Sequence, residues 1–524
     1  MGHFVPVASS LFIIVVAFTQ IASAERILFI LPLATRSETH LFTPLAKELA
    51  LKGHNITFVT PSPSNIKLNN FKEIVPIAPF VLEDFDNVAT DPIESRRRSR
   101  NKLAWIMSFE FQFIFDGCHA VFNNPEFQAL LEEQFDLLII SSNFNNCFDG
   151  LVHKFQAPFI SMSSMPVSGF IAQMTGMRMP PSFVPNPMLE FSDDMTFWQR
   201  LVNSLMTWTF NFLFVRVVVP SNTEIYRKYL GQDYPDVAQI ESGVSMIFSN
   251  SHFSINSPRP VFPDIVEIGG IHCRGAEPLP QNLDEWLSAA PEGFIFFSLG
   301  SVIKGVTLPE ETRKMFLNVF SRLKQRVLWK FESEQMTNLP ANVKLNKWLS
   351  QQDVLGHKNI KLFISHGGLL STQESTYHGV PILGIPFAVD QDVNMLQTEK
   401  LGFSLTLEIM DLTEEKLEVA INYILKNSTY ADNAKQAAKI FRDRAESPLK
   451  TAVFWTEYVL RHKGASQLRS TARKLTTFQY HSFDIIMFLV ITVLVFILIL
   501  VQLFRLCWCR KSTTDKALLK KKWQ

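Results

Sequence analysis

The sequence predicts an α/β protein: two successive Rossmann-like β/α/β domains with a crevice between them, followed by one membrane-crossing helix. Three observations predict it. Short apolar runs that do not alternate, such as residues 26–33 and 293–299, read as strands buried on both faces, the mark of a parallel sheet covered by helices. Helix-period patterns follow those runs, and the strand–helix succession occurs in two blocks, more than one core can hold in 524 residues. Residues 485–504 are almost uninterrupted Ile, Leu, Val and Phe, long enough at about 1.5 Å per residue to cross a ~30 Å hydrocarbon layer.

Taken in order, residues 1–24 read as a signal peptide: a short apolar segment precedes Ala22-Ser23-Ala24, a small-x-small cleavage pattern, so the mature chain begins at Glu25. The first domain, 25–255, opens on the strand 26–33. Thr43-Pro44 is an N-cap and N1 pair for the next helix, which Gly53 stops before the strand 55–60. His40 then lies in the loop ahead of that helix, where the positive dipole end keeps an imidazole neutral. Residues 95–100, SRRRSR, lack interleaved aromatics and read as a solvated loop or helix face. Another buried strand, 135–142, carries Ser141 near its end, with Asp149 shortly after. Residues 197–219 are aromatic and apolar, yet Arg200, Asn203, Asn211 and Arg216 argue against a span. A lipid-surface or acceptor-lining helix fits them, as does ordinary core.

Small and Pro-rich punctuation over 249–263 closes the first domain, and 256–284 is the linker. The second domain, 285–445, begins with the strand 293–299, ending at Gly300-Ser301. An amphipathic helix over 309–323 and strands at 327–331 and 343–345 lead to its centre. There 361–365 is a strand, His366-Gly367-Gly368 a tight turn, 369–378 a helix stopped by Gly379, and 380–386 the next strand. A glycine turn between strand and helix admits close backbone approach, and the helix N-terminus favours an anion. The unit is built to hold phosphate. Around it Trp348 offers a flat face for a base, Gln351 an amide, and Glu374 a carboxylate able to accept from ribose hydroxyls, while Asp390-Gln391 follows the next strand at its carboxyl end. A helix near 452–461 lies within the segment 446–482, the membrane helix spans 483–504, and the basic tail is 505–524.

Basic residues behind the span place the tail in the cytosol and the two domains in the lumen, a single-pass type I arrangement. The ending Lys521-Lys522-Trp523-Gln524 resembles a dilysine retrieval signal of the endoplasmic reticulum membrane. Cys118, Cys147 and Cys273 are odd in number and read as neither a disulfide framework nor a zinc site. Cys507 and Cys509 flank the membrane exit, where acylation or a plain structural role fits. Asn427-Ser428-Thr429 is a glycosylation sequon; Asn55-Ile56-Thr57 is a weaker one because it opens a strand. A net charge of +1 excludes the basic excess that a nucleic-acid-tracking surface carries.

Trp348, Gln351, His366-Gly367-Gly368, Glu374 and Asp390-Gln391, in this order and spacing, resemble the donor signature of the UDP-glycosyltransferase family, and the resemblance extends over nearly the whole chain. It implies the two-Rossmann architecture called GT-B. It also implies that Trp348 stacks on uracil, Gln351 meets base and ribose, His366 with Gly367, Gly368 and Ser301 binds the diphosphate, Glu374 binds ribose, and Asp390 and Gln391 bind the sugar. His40 takes the place of the general base. Two departures stand out. Leu370 replaces a common Asn, which shifts phosphate contact toward Ser371. Ser141 replaces the carboxylate that orients the base, so Ser141, a substitute such as Asp149, or an impaired enzyme is expected. The resemblance implies inverting transfer of a hexose from a UDP-sugar to a hydroxyl of a small lipophilic acceptor, with no metal and no cofactor. Glucose is the expected sugar, since invertebrate-like members generally use it. Asp84-Phe85-Asp86 and Asp390-Gln391-Asp392 match a metal-binding D-x-D only in letters. The other reading is a catalytically impaired luminal protein that binds nucleotide-sugar or a lipophile. Oligomeric state is left open, with a homo-oligomer among the alternatives.

Overall fold

The computed structural model describes residues 24–77, 90–101, 112–333 and 335–521. The signal-peptide stretch 1–23, the pair Asp84-Phe85-Asp86, the side chains of Cys507 and Cys509, and residues 522–524 of the dilysine ending lie outside the described residues.

The first domain is a seven-stranded sheet of β1 (Arg26–Ile30), β2 (Asn55–Val59), β3 (Phe71–Ile74), β4 (Leu137–Ser141), β5 (Phe159–Ser163), β6 (Met246–Ser249) and β7 (Ile265–Glu267), in the order 3-2-1-4-5-6-7. The second is a six-stranded sheet of β8 (Phe294–Ser298), β9 (Arg326–Lys330), β10 (Val343–Asn346), β11 (Ile360–Ser365), β12 (Ile382–Gly384) and β13 (Ser404–Thr406), in the order 10-9-8-11-12-13. Every pairing is parallel. The absence of alternation in the strands has its reason here. Ile27 and Phe29 face one layer with Leu41, Phe42 and Leu45, while Leu28 and Ile30 face the other with Val121 and Phe122. Burying each such side chain stabilises by about 1.5–3 kcal/mol.

The named helices are α1 (Arg36–Leu51), α2 (Pro92–Ser99), α3 (Phe197–Leu213), α4 (Glu310–Arg322), α5 (Leu369–His378), α6 (Gln391–Lys400), α7 (Pro448–Arg461) and α8 (Phe483–Lys521). After the second domain the chain returns to the first, where Ala452, Val453 and Val459 of α7 join the core beneath α1. Two helical stretches, Phe197–Leu230 and Phe483–Leu506, are long and apolar enough to cross a membrane; no part of the second is buried in the protein. The first includes α3, which buries Asn203 against backbone carbonyls of Pro181 and Val184 and exposes Trp198, Leu205 and Trp208.

Four expectations need correction. The first helix starts at Arg36 rather than after Thr43, because Thr35 caps it by accepting from the Glu38 N–H, a capping signal nearer the strand than Thr43-Pro44. Pro44 sits inside that helix, where it withholds the N–H that the His40 carbonyl would otherwise receive. The linker starts later than residue 256, since Ile265–Glu267 pairs with β6 as the edge of the first sheet. Cys118 and Cys147 form a disulfide with Cα atoms 6.3 Å apart, fastening the helix Gln112–Phe122 to the turn after β4. Their spacing in sequence holds no signal of that proximity. Finally, the basic run is not all solvated: Arg96 is buried in the interface with the second domain.

Candidate active site

In both sheets the strand order reverses beside the first strand, between β1 and β4 and between β8 and β11, and crevices for ligands open at the carboxyl ends of such strands. The two switch points face one another. Between them lies a cavity of about 820 Å³ lined by residues of both domains.

On the second domain two glycine turns converge on one imidazole. Gly300 follows β8 and Gly367 follows β11, each with φ +82°, a conformation that favours glycine. The His366 ring lies between the turns: a Cβ at Gly300 would meet its Cε1 at 2.5 Å, and one at Gly368 its Nε2 at 2.5 Å. Burial, with Lys330 nearby, lowers the His366 pKa to about 4, so the ring is neutral, and its Nδ1 has no partner among the described residues. The positive charge beside the turns belongs instead to Lys330 on β9. Its ammonium donates to the Gly300 carbonyl and lies 5.5 Å from the centre of the Trp348 ring. Gly368 caps α5, whose first turn carries Leu370 and Ser371. Gln351 Nε2 donates to Ser371 Oγ at 2.9 Å and to Glu374 Oε2 at 2.6 Å, and burial raises the Glu374 carboxyl to about 7. His272, from the linker, donates Nε2–H to the Leu370 carbonyl at 3.3 Å and is held neutral by burial. At the start of α6, Gln391 Oε1 accepts from the N–H groups of Phe387 and Ala388 at 2.7 and 3.1 Å. Gln391 also lines the cavity. Asp390 accepts from Asn394, and burial raises its pKa.

The first domain presents α1. His40 faces the cavity in the second turn of that helix, its ring 6.4 Å from Trp348 and inclined by 22°. Its pKa is lowered, as the sequence reading expects, but the cause is desolvation by the surrounding cavity walls, although the side chain is still open to solvent through the cavity. Neither of its ring nitrogens has a hydrogen-bond partner among the described residues. Ser141 does not orient it: the Ser141 hydroxyl donates to Glu38 Oε1, which also receives Asn143 Nδ2 at 3.4 Å. Asp149 does not orient it either. That carboxyl is buried beside Glu241, whose charge together with burial raises it well above the carboxylate range. The carboxyl group that does line the first domain's half of the cavity is Glu38, 5% exposed and raised to about 7 by burial. The wall beyond is apolar, formed by Ile114, Phe170, Met179, Phe210 and Phe214.

Of the residues singled out in the sequence, His40, Ser301, Trp348, Gln351, His366, Gly368, Ser371, Glu374, Asp390 and Gln391 line this one cavity, with Gly367 buried directly behind. Ser141 and Asp149 do not line it. Sequence reasoning missed Glu38, Lys330 and His272. Only Glu38 had a local signal, as the fourth residue of the Thr35-x-x-Glu38 capping pattern. The candidate sequon asparagines lie elsewhere: Asn55 is exposed at the head of β2, and Asn427 Oδ1 accepts from the Thr429 N–H at the start of a helix. The D-x-D letters of Asp390 to Asp392 hold no common site, since Asp392 pairs with Arg96 at 2.8 Å.

Two doubly wound parallel sheets meeting over such a crevice define a GT-B glycosyltransferase architecture. Solved structures agree in fold: the calicheamicin glycosyltransferase CalG4 superposes with a TM-score of 0.55 over 84% of this chain and 99% of its own, at 16% identity. A UDP-glucosyltransferase from Polygonum tinctorium capable of glucosylating indoxyl gives 0.54 over 83% and 99%, at 15% identity. The family model described as UDP-glucoronosyl and UDP-glucosyl transferase matches residues 30–517. UDP-glucosyltransferase 2 of Dactylopius coccus is 34% identical over 90% of this chain and 91% of its own length. UDP-glucuronosyltransferase 2B17 of Homo sapiens is 31% identical over 90% and 91%. The chain belongs to this family. It is a glycosyltransferase that moves a sugar from a UDP-sugar co-substrate to an acceptor and needs no cofactor.

Proposed function

We propose that the protein is an inverting hexosyltransferase in which His40 deprotonates a hydroxyl of a small lipophilic acceptor. One observation carries the reading: the His40 imidazole of the first domain stands 6.4 Å from Trp348 of the donor motif, across a single cavity. A neutral imidazole can accept the hydroxyl proton as the oxygen attacks the anomeric carbon. UDP departs from the opposite face, so a single displacement inverts the configuration, through a transition state with oxocarbenium character. Charge developing on the diphosphate meets the N–H groups of the two glycine turns, the N-terminus of α5 and the Lys330 ammonium, a preorganised set that does not need a charged His366. Trp348 takes the base, Gln351 and Glu374 the ribose, and Asp390 and Gln391 the sugar; the likeness to UDP-glucosyltransferase 2 supports glucose. The apolar wall around Phe210 and Phe214 fits lipophilic acceptors. Helix α8 anchors the enzyme in the endoplasmic reticulum membrane with both domains in the lumen, a compartment that permits the Cys118–Cys147 disulfide.

The test is acceptor-dependent UDP release by membranes carrying wild type or His40→Ala, with UDP-glucose or UDP-glucuronate and a panel of phenols. Release falls by about 10²- to 10⁴-fold in the variant, the range for a lost general base, while UDP affinity is kept. Equal release from both proteins overturns the role given to His40.

A further inference from the structure

The basic run after residue 90 brings a charged side chain of the acceptor domain into the donor domain. Arg96, on α2 of the first domain, is 4% exposed. It donates through both terminal nitrogens to the two carboxylate oxygens of Asp392, at 2.8 Å each, and through Nε and Nη2 to Glu408 at 2.8–3.2 Å. Three turns of sequence therefore meet at one guanidinium: α2, the start of α6, and the loop after β13. One turn of α2 further on, Ser99 Oγ donates to the Phe387 carbonyl at 3.2 Å, and one turn earlier Ile93 packs against the second domain's core.

These contacts surround a loop that holds one residue in a strained conformation. Between β12 and α6, Val389 has φ +59°, a region a β-branched residue rarely occupies and holds only where its surroundings over-determine it. Inside the second domain, Gln391 Oε1 ties down two of the loop's N–H groups and Asn394 links Asp390 to the Gly367 carbonyl. From outside, α2 grips both ends: Ser99 at Phe387 and Arg96 at Asp392, with Asp390 and Gln391 between. Helix α6 is held along its length as well, by Ser257 Oγ accepting from Gln397 at 3.0 Å and by Asp193 pairing with Lys400 at 2.5 Å, but those contacts are less enclosed.

We propose that Arg96 is a positioning residue for donor-sugar binding: through Asp392 and Glu408, α2 of the acceptor domain clamps the Phe387–Asp392 loop in the shape that presents Asp390 and Gln391 to the sugar. The inference rests on the reading above that Asp390 and Gln391 contact the sugar. It makes the sugar pocket a joint product of both domains, while uridine and diphosphate bind to the second domain alone. A guanidinium fork serves two carboxylates at once in fixed geometry, which an ammonium cannot reproduce.

The experiment compares affinity for UDP, which lacks the sugar, with affinity and KM for UDP-glucose and UDP-glucuronate, in full-length protein in membranes. For Arg96→Lys, KM for the UDP-sugar that wild type uses rises about tenfold, a ~1.4 kcal/mol loss, and Kd for UDP stays within about twofold. A purely structural role would weaken both ligands alike. Gln391→Ala runs in parallel. If it widens the gap between UDP-sugar and UDP while Arg96→Lys does not, the clamp is refuted; if Gln391→Ala leaves the gap unchanged, the sugar-loop reading fails and the clamp with it. Should Arg96→Lys not accumulate in membranes, Asp392→Asn, which leaves Arg96 its partner Glu408, reads the same gap. Equal loss of UDP and UDP-sugar affinity in Asp392→Asn also overturns the proposal.

Discussion

The two walls of the cavity solve their tasks with different materials. On the second domain, the donor wall of the reaction proposed above, the β8/β11 switch presents backbone: two glycine turns with φ +82°, a helix N-terminus, and one imidazole filling the space the glycines leave. On the first domain, the acceptor wall of that reaction, the β1/β4 switch presents side chains: His40 and Glu38 on α1 and Asn143 beyond β4, with Ser141 at the end of β4 bonded to Glu38 from behind. Backbone geometry admits few sequences, because a left-handed turn against a ring requires glycine. Side-chain chemistry can be supplied from a neighbouring element. Ser141 occupies the place where a carboxylate is expected, and the carboxyl group reaches the same cluster from α1 instead. The difference teaches that a missing residue is weak evidence of lost function on the side-chain wall and strong evidence on the backbone wall.

The walls also differ in how they are fastened, and this gives the largest expected effect. The acceptor wall carries the Cys118–Cys147 crosslink, with Asn146 of the cavity lining next to it; the described cysteine nearest the donor wall, Cys273, is free. Closing a loop across a separation of 29 residues is worth about 3–4 kcal/mol. Cys118→Ser with Cys147→Ser is expected to lower stability by that amount in denaturant titration, and to raise KM for the acceptor while Kd for UDP holds. A matched loss at both sites would break the comparison.

Next comes the carboxyl that moved. Glu38 keeps its proton in the folded protein up to about pH 7, against 4.5 for the unconstrained group, because burial outweighs its hydrogen bonds from Ser141 and Asn143. Its contribution to stability is therefore complete below pH 4.5 and is lost as pH rises through 7. Glu38→Gln removes that dependence: across this window wild type loses about 3 kcal/mol relative to the variant, read from unfolding midpoints against pH. Ser141→Asp alone sets two carboxyls together and destabilises, whereas Ser141→Asp with Glu38→Gln is tolerated. Parallel pH curves for wild type and Glu38→Gln would remove Glu38 from the cluster.

The same contrast explains what was legible in the sequence. Strands β1, β2, β8 and β11 and the turn–helix unit from His366 to Gly379 follow from unalternating apolar runs and glycine placement, and they stand within a few residues of where the sequence puts them. The donor residues could be named because one short stretch contains most of them. Lys330 could not, since a lysine ending an apolar strand gives no sign that its ammonium turns inward over Trp348. The start of α1 was misplaced because Thr43-Pro44 carries a stronger local signal than Thr35, although Pro44 lies inside the helix and withholds the bond to the His40 carbonyl. The disulfide and the burial of Arg96 depend on tertiary proximity, which spacing does not encode.

The smallest effect tests whether the donor wall is as stereochemically constrained as this contrast requires. Gly368 has φ −61° and ψ 141°, values any residue adopts, yet the three atoms nearest an added Cβ all belong to His366, from 2.5 Å outward. Gly367 differs: its φ is +82°, and its added Cβ would meet Met395 Cγ at 2.7 Å and backbone as well. Gly368→Ala is expected to cost about 1–3 kcal/mol through crowding of the ring and to weaken UDP binding. Adding His366→Ala should return the stability, since the crowded partner is gone, and leave UDP binding weak, since the proposed diphosphate contact is gone too. Gly367→Ala gains nothing from His366→Ala, because its strain lies in the backbone. Thermal midpoints and UDP affinities for the six proteins form two mutant cycles, and coupling in the first without coupling in the second is the outcome that a wall built on glycine turns around one ring demands. Additivity in both cycles would mean that His366 does not fill the space between the turns.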